Sequence, residues 1–257
     1  MSGALAIALA AGTDGPAILL IHGFGADRLI WTANVRALGA VGRVYALDLP
    51  GHGETPFAGE GGLAALTGAV ADAIDAAGIG PVHVVAHSLG GAVAIALAAT
   101  RPDLVRSLAL IAPAGLGGPV DEGFLAEFPE SATPEQTEAL LQRLVTRPRL
   151  INRQMVAGAL QKLGAPGVRD GYRAIAAGLR DVNAALDAHV EAVARSALPR
   201  LAIWGAADPI IPHDPARLMA LGADTLVLPD AAHLPHVENA REVNERLATW
   251  IAGQGGG

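Results

Sequence analysis

Three residues have the types and the chain order for nucleophilic chemistry: Ser88, then Asp208, then His233. A serine hydroxyl is a weak nucleophile until a neighbouring base takes its proton during the attack. An imidazole does this near neutral pH and can return the proton to a leaving group, while a carboxylate holds the other ring N–H and stabilises the imidazolium. The serine lies in Val82-His83-Val84-Val85-Ala86-His87-Ser88-Leu89-Gly90-Gly91, an apolar run that breaks at the serine and continues as Ala92–Ala99. That pattern reads as a strand reversing sharply into a buried helix. The residues two before and two after such a turn must be small, and they are Ala86 and Gly90. The usual form is G-x-S-x-G, with alanine here for the first glycine. Taken alone, the stretch also fits a plain βα turn with a serine N-cap.

The attacked carbonyl oxygen becomes an anion and needs N–H donors aimed at it. Leu89 N–H, just after the serine, and Phe24 N–H, within the loop His22-Gly23-Phe24-Gly25, are the candidates. Asp187, Asp214 and Asp230 are rivals for the acid, and His236, three residues after His233, is the rival base. His22, His52 and His87 fall in loops near the same edge and read as structural donors or pocket lining, with His236 a further lining candidate. The sequence has no H-E-x-x-H and no cysteine, and Gly23-Phe24-Gly25 lacks the third glycine of a dinucleotide fingerprint, so no metal and no cofactor is expected.

These residues need a framework, and 257 residues, half of them apolar, suffice for one α/β domain with an insertion. Strands are expected at Leu5–Leu9, Ala17–Ile21, Arg43–Leu47, Val82–His87, Ser107–Ile111, Arg200–Trp204 and Asp224–Leu228. Helices are expected at Leu29–Leu38, Leu63–Ala77, after Ser88, and at Glu242–Ile251. Strands alternating with helices imply a mostly parallel sheet with helices on both faces, which binds ligands at the carboxyl ends of its strands. From Pro113 to Leu198 the alternation stops and only helical pattern remains, including a Thr133-Pro134-Glu135-Gln136 helix start. The expected division is therefore a core of residues 1–112 and 199–257 with a helical cap at 113–198. Met155, Leu160 and Leu163 are the cap's candidate pocket residues, and the arginines from Arg143 to Arg180 are expected to face water, paired with the acids of Asp121–Glu138.

A net charge of −7 argues against nucleic acid as a partner. Ala4–Ala11 is too short to span a bilayer and no leader pattern precedes it, so no membrane association and a cytoplasmic location are expected. The expected partner is a small-molecule acyl substrate, bound by a monomer or homodimer.

The His22-Gly23-Phe24-Gly25 loop, Asp48-Leu49-Pro50-Gly51-His52-Gly53, Ala86-His87-Ser88-Leu89-Gly90-Gly91, Trp204-Gly205-Ala206-Ala207-Asp208 and Ala232-His233 together resemble the α/β-hydrolase superfamily across nearly the whole chain. The resemblance implies an eight-stranded, mostly parallel sheet with a helical cap after the sixth strand, and an acyl-enzyme route that ends with water and uses no cofactor. Ile111-Ala112-Pro113-Ala114-Gly115-Leu116-Gly117 and Gly171-Tyr172-Arg173-Ala174-Ile175 are similar to the hydrolase-like domain of the acetoin dehydrogenase complex's acetyltransferase component. Carbon–carbon hydrolases of the same superfamily usually carry an aromatic residue after the catalytic histidine, where Leu234 stands. The resemblance therefore points to a carboxylesterase-like serine hydrolase, with an acyltransferase subunit, a carbon–carbon hydrolase and a non-catalytic binding protein as the alternatives.

Overall fold

A computed structural model describes residues 5–57, 59 and 61–254. The strands are β1 (Ile7–Ala11), β2 (Ala17–Ile21), β3 (Arg43–Leu47), β4 (Val82–His87), β5 (Val105–Ile111), β6 (Arg200–Gly205) and β7 (Asp224–Leu228). They form one sheet in the order β1-β3-β2-β4-β5-β6-β7. β2 and β4 are buried at every position, as expected of strands covered on both faces. All neighbours are parallel except β1, which runs antiparallel to β3 at the edge, starting from Ile7 opposite Leu47. The first strand is thus displaced by two residues from its expected start. The described residues hold seven strands rather than the eight implied by the resemblance, and residues 255–257 of the glycine-rich end lie outside them.

The helices are α1 (Val35–Leu38), α2 (Leu63–Ala77), α3 (Leu89–Thr100), α4 (Glu122–Glu127), α5 (Pro134–Gln142), α6 (Arg153–Leu163), α7 (Val168–Leu179), α8 (Val182–Ala194), α9 (Pro215–Leu221), α10 (Pro235–Glu238) and α11 (Ala240–Gly253). α3 is apolar all round and buried at ten of its twelve positions, the mark of a helix clamped between layers. One core cluster fills the sheet face under α2, α3 and α8; the other holds Trp31, Leu38, Val243, Leu247 and Trp250 on the opposite face. None of the described helices is long and apolar enough to cross a membrane.

One expectation changes. Leu29–Leu38 is not one helix: Asp27 accepts the Leu29 N–H, opening a 3₁₀ stretch at Arg28–Ala33, and only Val35–Leu38 is α-helical. Trp31 and Leu38 are buried, whereas Leu29 is left exposed. Between β5 and β6 only helices are found among the described residues, but the last, α8, packs along α3 in the layer over the sheet. Within the 113–198 stretch, α8 thus lies against the helix that follows Ser88.

Candidate active site

The carboxyl ends of β2, β3, β4, β6 and β7 lead directly into the loops that carry His22, Asp48, Ser88, Asp208 and His233. Ser88 has φ 52° and ψ −117°, a conformation costing a non-glycine residue on the order of 1–3 kcal/mol. The neighbours enforce it. Ser88 N–H donates to Ile111 O at 3.0 Å, and Ser88 O accepts from Gly91, Ala92 and Ala114. A side chain at Gly90 would lie 2.5 Å from Ile21 O, so only glycine lets α3 start so close to β2.

This turn presents the Ser88 hydroxyl to His233 Nε2 at 3.0 Å, and His233 Nδ1–H donates to Asp208 Oδ2 at 2.8 Å. The other Asp208 oxygen accepts from Ile210 N–H at 2.9 Å and Ile211 N–H at 3.0 Å, which fixes the carboxylate. All three side chains are largely buried, and Ser88 and His233 reach a cavity of about 1030 Å³. The rival acids lie elsewhere: Asp187 pairs with Arg217, Asp214 caps α9, and the Asp230 side chain is exposed.

Of the sequence candidates for the pocket, His87 and Met155 line the cavity, and His22, Leu160, Leu163 and His236 do not; Phe24, expected as an oxyanion donor, also lines it. His22 is buried behind the Gly23–Gly25 loop, donating from Nδ1 to Gly23 O at 2.8 Å and accepting Leu49 N–H at Nε2. His236 belongs to α10, which begins only at Pro235, so the three-residue spacing from His233 is not helical spacing. Its ring lies tilted between those of Trp31 and His87, at 4.6 and 4.7 Å, and burial pushes its pKa down to about 3. On α6 the cavity is lined by Gln154, Met155, Gly158, Ala159, Gln161 and Lys162, whereas Leu160 and Leu163 pack into apolar clusters. Leu89 is buried behind the serine at the first turn of α3, where its N–H has no helical acceptor. Phe24 N–H has no backbone partner among the described loop hydrogen bonds. His87 donates from Nε2 to His233 O at 2.9 Å, and burial, with His236 and His233 nearby, holds its pKa well below the usual value.

Several site residues escaped sequence reasoning. The cavity's charged lining is Asp27, Arg28, Asp48, Glu54 and Lys162, the chain's single lysine. Lys162 pairs with Asp27, and Arg28 pairs with Asp48 and with Glu54 at 2.8 Å. Burial pushes the Asp27 carboxyl up, but Lys162 beside it outweighs this and leaves it below the ordinary value. None of the arginines between Arg143 and Arg180 reaches the cavity. Arg143 pairs with Asp121 and Glu127, and Arg173 with Glu130 and Asp170. Glu238 is also unanticipated: its buried carboxylate accepts Ala232 N–H at 2.7 Å and Thr146 N–H at 2.8 Å, tying the His233 loop to the segment after α5.

The sequence matches the alpha/beta hydrolase family over residues 18–246. It is 37% identical over 248 residues to the dihydrolipoyllysine-residue acetyltransferase component of the acetoin cleaving system of Pseudomonas putida, covering 93% of this chain and 64% of that protein. The corresponding protein of Cupriavidus necator is 35% identical, over 92% of this chain and 63% of its own length. The chain thus spans a little under two thirds of these two relatives. A pimeloyl-(acyl-carrier protein) methyl ester esterase of Neisseria meningitidis is 32% identical over 92% of this chain and 77% of the relative. A meta-cleavage product hydrolase from Pseudomonas fluorescens shares the fold at a TM-score of 0.85, with 22% identity over 97% of this chain and 95% of that one. The chain belongs to the alpha/beta hydrolase family.

Proposed function

We propose that this protein is a serine hydrolase that cleaves a small, neutral ester or related acyl compound through an acyl-enzyme. The observation that carries the reading is the hydrogen-bonded row Ser88 Oγ, His233 Nε2, His233 Nδ1 and Asp208 Oδ2 opening into one cavity. Ser88 Oγ attacks the carbonyl carbon as His233 Nε2 takes its proton, and Asp208 stabilises the imidazolium. The negative charge that develops on the carbonyl oxygen is met by Phe24 N–H and Leu89 N–H, each such donor being worth about 2.7–4 kcal/mol. His233 then gives its proton to the departing alkoxide, leaving the acyl group on Ser88. A water, deprotonated by His233, attacks that acyl carbon and restores the serine.

Neutrality of the substrate follows from the lining. Both cavity cations are already engaged by carboxylates, and two cations stand against three acids. A carboxylate-bearing substrate would meet no free positive partner. Leu125, Leu141, Leu144, Met155 and Leu234 supply apolar walls, so acyl chains should be discriminated weakly, about 1–3 kcal/mol per methylene. On this reading the helices between Asp121 and Leu179 act as the cap over Ser88.

The test compares neutral short-chain esters with esters bearing a free carboxylate, at low and high salt. The neutral esters should be preferred, with kcat/KM nearly indifferent to ionic strength. A preference for the anionic esters that salt abolishes would overturn the substrate class. A second reading, acyl transfer to a thiol, is favoured by the likeness to the two acetoin-system components. Adding dihydrolipoamide to the ester assay separates the two: formation of acylated thiol faster than free acid selects the transferase.

A further inference from the structure

The loop Asp48-Leu49-Pro50-Gly51-His52-Gly53 takes no part in the proton relay, yet it grips the loop that carries Phe24 N–H. Gly25 N–H donates to His52 Nε2 at 3.1 Å, Leu49 N–H to His22 Nε2 at 3.0 Å, and Arg28 N–H to Asp48 Oδ1 at 2.7 Å. Both imidazoles therefore accept at Nε2 and carry their single proton on Nδ1. Their Nδ1–H groups are used in turn, His22 donating to Gly23 O at 2.8 Å and His52 to Pro50 O at 3.1 Å. An imidazolium has two donors and no acceptor, so the two backbone N–H groups can be held only by neutral rings in this one tautomer. Glutamine or asparagine could accept an N–H as well, but a protonated or Nε2–H histidine would repel it.

We propose that His52, backed by His22, is a positioning residue for the oxyanion site: its neutral Nε2 anchors Gly25 N–H and so holds the adjoining Phe24 N–H aimed at the developing oxyanion. The inference rests on the Ser88 acyl-enzyme reading above. The ring environment suits the role. His22 lies 5.0 Å from the His52 ring, Tyr172 4.9 Å and Phe24 6.2 Å. The charges of Asp48, Asp27 and Lys162 act on the His22 ring, and that of Lys162 on the His52 ring. Burial is the largest influence on both and keeps each below the ordinary histidine value, His52 well below it. Gly25 also leaves no slack, because a side chain there would lie 2.5 Å from the Phe128 ring.

The experiment combines the imidazole ¹⁵N spectrum of the wild-type protein with kinetics of His52→Leu and His52→Gln. His22 and His52 should both appear as neutral Nδ1–H tautomers at neutral pH, in contrast to His87, whose Nε2–H donates to His233 O. His52→Leu should lower kcat by roughly 10²-fold, the scale of losing one oxyanion donor, with KM changed less than about threefold. His52→Gln, whose amide oxygen can stand where Nε2 stood, should recover at least about tenfold of that loss. Labelling of Ser88 by a fluorophosphonate, whose phosphoryl oxygen occupies the same site, should follow the same ranking. A His52 that is charged or in the Nε2–H form, an unchanged kcat in His52→Leu, or Leu and Gln variants equally impaired would each overturn the inference while leaving the acyl-enzyme intact. Should His52→Leu fail to fold, the wild-type spectrum and the Gln variant still decide. A wild-type protein that is not labelled at Ser88 overturns the acyl-enzyme reading, and this inference with it.

Discussion

Replacing Asp208 with asparagine separates two jobs that one carboxylate performs. Oδ1 holds the backbone N–H groups of Ile210 and Ile211, and Oδ2 holds His233 Nδ1–H. In Asp208→Asn the amide oxygen can take the first position and keep both backbone bonds. The NH₂ group then faces a ring nitrogen that is itself a donor. His233 answers by moving its proton to Nε2, the atom 3.0 Å from Ser88 Oγ, and the base is lost. The same exchange in a serine protease lowers kcat about 10⁴-fold, equivalent to roughly 5.4 kcal/mol of barrier. Asp208→Ala removes both jobs. It strands two buried N–H groups at about 1–3 kcal/mol each, so stability should fall by roughly 2–6 kcal/mol in addition. The assay is kcat on a neutral short-chain ester, paired with urea unfolding of both variants. Asp208→Asn should be nearly inactive yet unfold close to the wild type, with Asp208→Ala both inactive and clearly weaker. An asparagine variant keeping more than about a tenth of wild-type kcat would show that tautomer control by Asp208 is not what the chemistry needs.

Three other outcomes follow from the geometry of the site and its surroundings. Ser88→Gly and Ser88→Ala should both be inactive, but the glycine variant should be more stable than the alanine variant by about 1 kcal/mol, because glycine adopts φ 52° freely; equal unfolding midpoints would show that the turn stores no strain. Gly23→Ala should lower kcat sharply, since the new side chain would lie 2.8 Å from His87 Nδ1 and 2.9 Å from Ser88 Cβ and push the loop off the serine; normal turnover would mean the approach of the two segments is not needed. His236 has a folded pKa of about 3 against about 6.5 unfolded, so below pH 6.5 the unfolded state binds more protons and stability falls as pH drops toward 3, while above pH 6.5 the residue contributes no pH dependence. His236→Phe keeps the ring between Trp31 and His87 and removes the proton site. It should stay active and be relatively less destabilised between pH 7 and pH 5, by about 2 kcal/mol. An unchanged acid sensitivity in urea titrations, or loss of activity at pH 7, would go against that account.

What could be read from the sequence was local. The unbroken apolar run at Ala17–Ile21, the Val82, Val84, Val85 and Ala86 of the next buried strand and the small residues flanking Ser88 are written into neighbouring positions, and the strands and turn form where expected. Asp208 and His233 were legible because each follows a strand of a parallel sheet, whose topology alone sets them at one edge. The unread features depend on partners far apart in the chain. His22 and His52 could not be recognised as acceptors until Leu49 and Gly25 N–H were found facing them. Lys162 is the single lysine, but its pairing with Asp27 joins α6 to the segment after the Gly23–Gly25 loop and exists only in the folded chain. His236 misled because a three-residue spacing places side chains together only on a helix, and His233 precedes one. α8 was grouped with the insertion because its apolar positions carry no mark of whether they meet the sheet layer or the cavity.

In the proposed reaction Ser88 Oγ carries the acyl group between the two half-reactions. Acid-quenching the protein within the first turnovers of a slow neutral ester, followed by intact and peptide mass spectrometry, tests this directly. A burst of released alcohol and one acyl increment on the peptide containing Ser88 are expected, absent in Ser88→Ala and greatly slowed in His233→Ala. Ester turnover with no acyl increment at Ser88, or an increment on another residue that persists in Ser88→Ala, would contradict it.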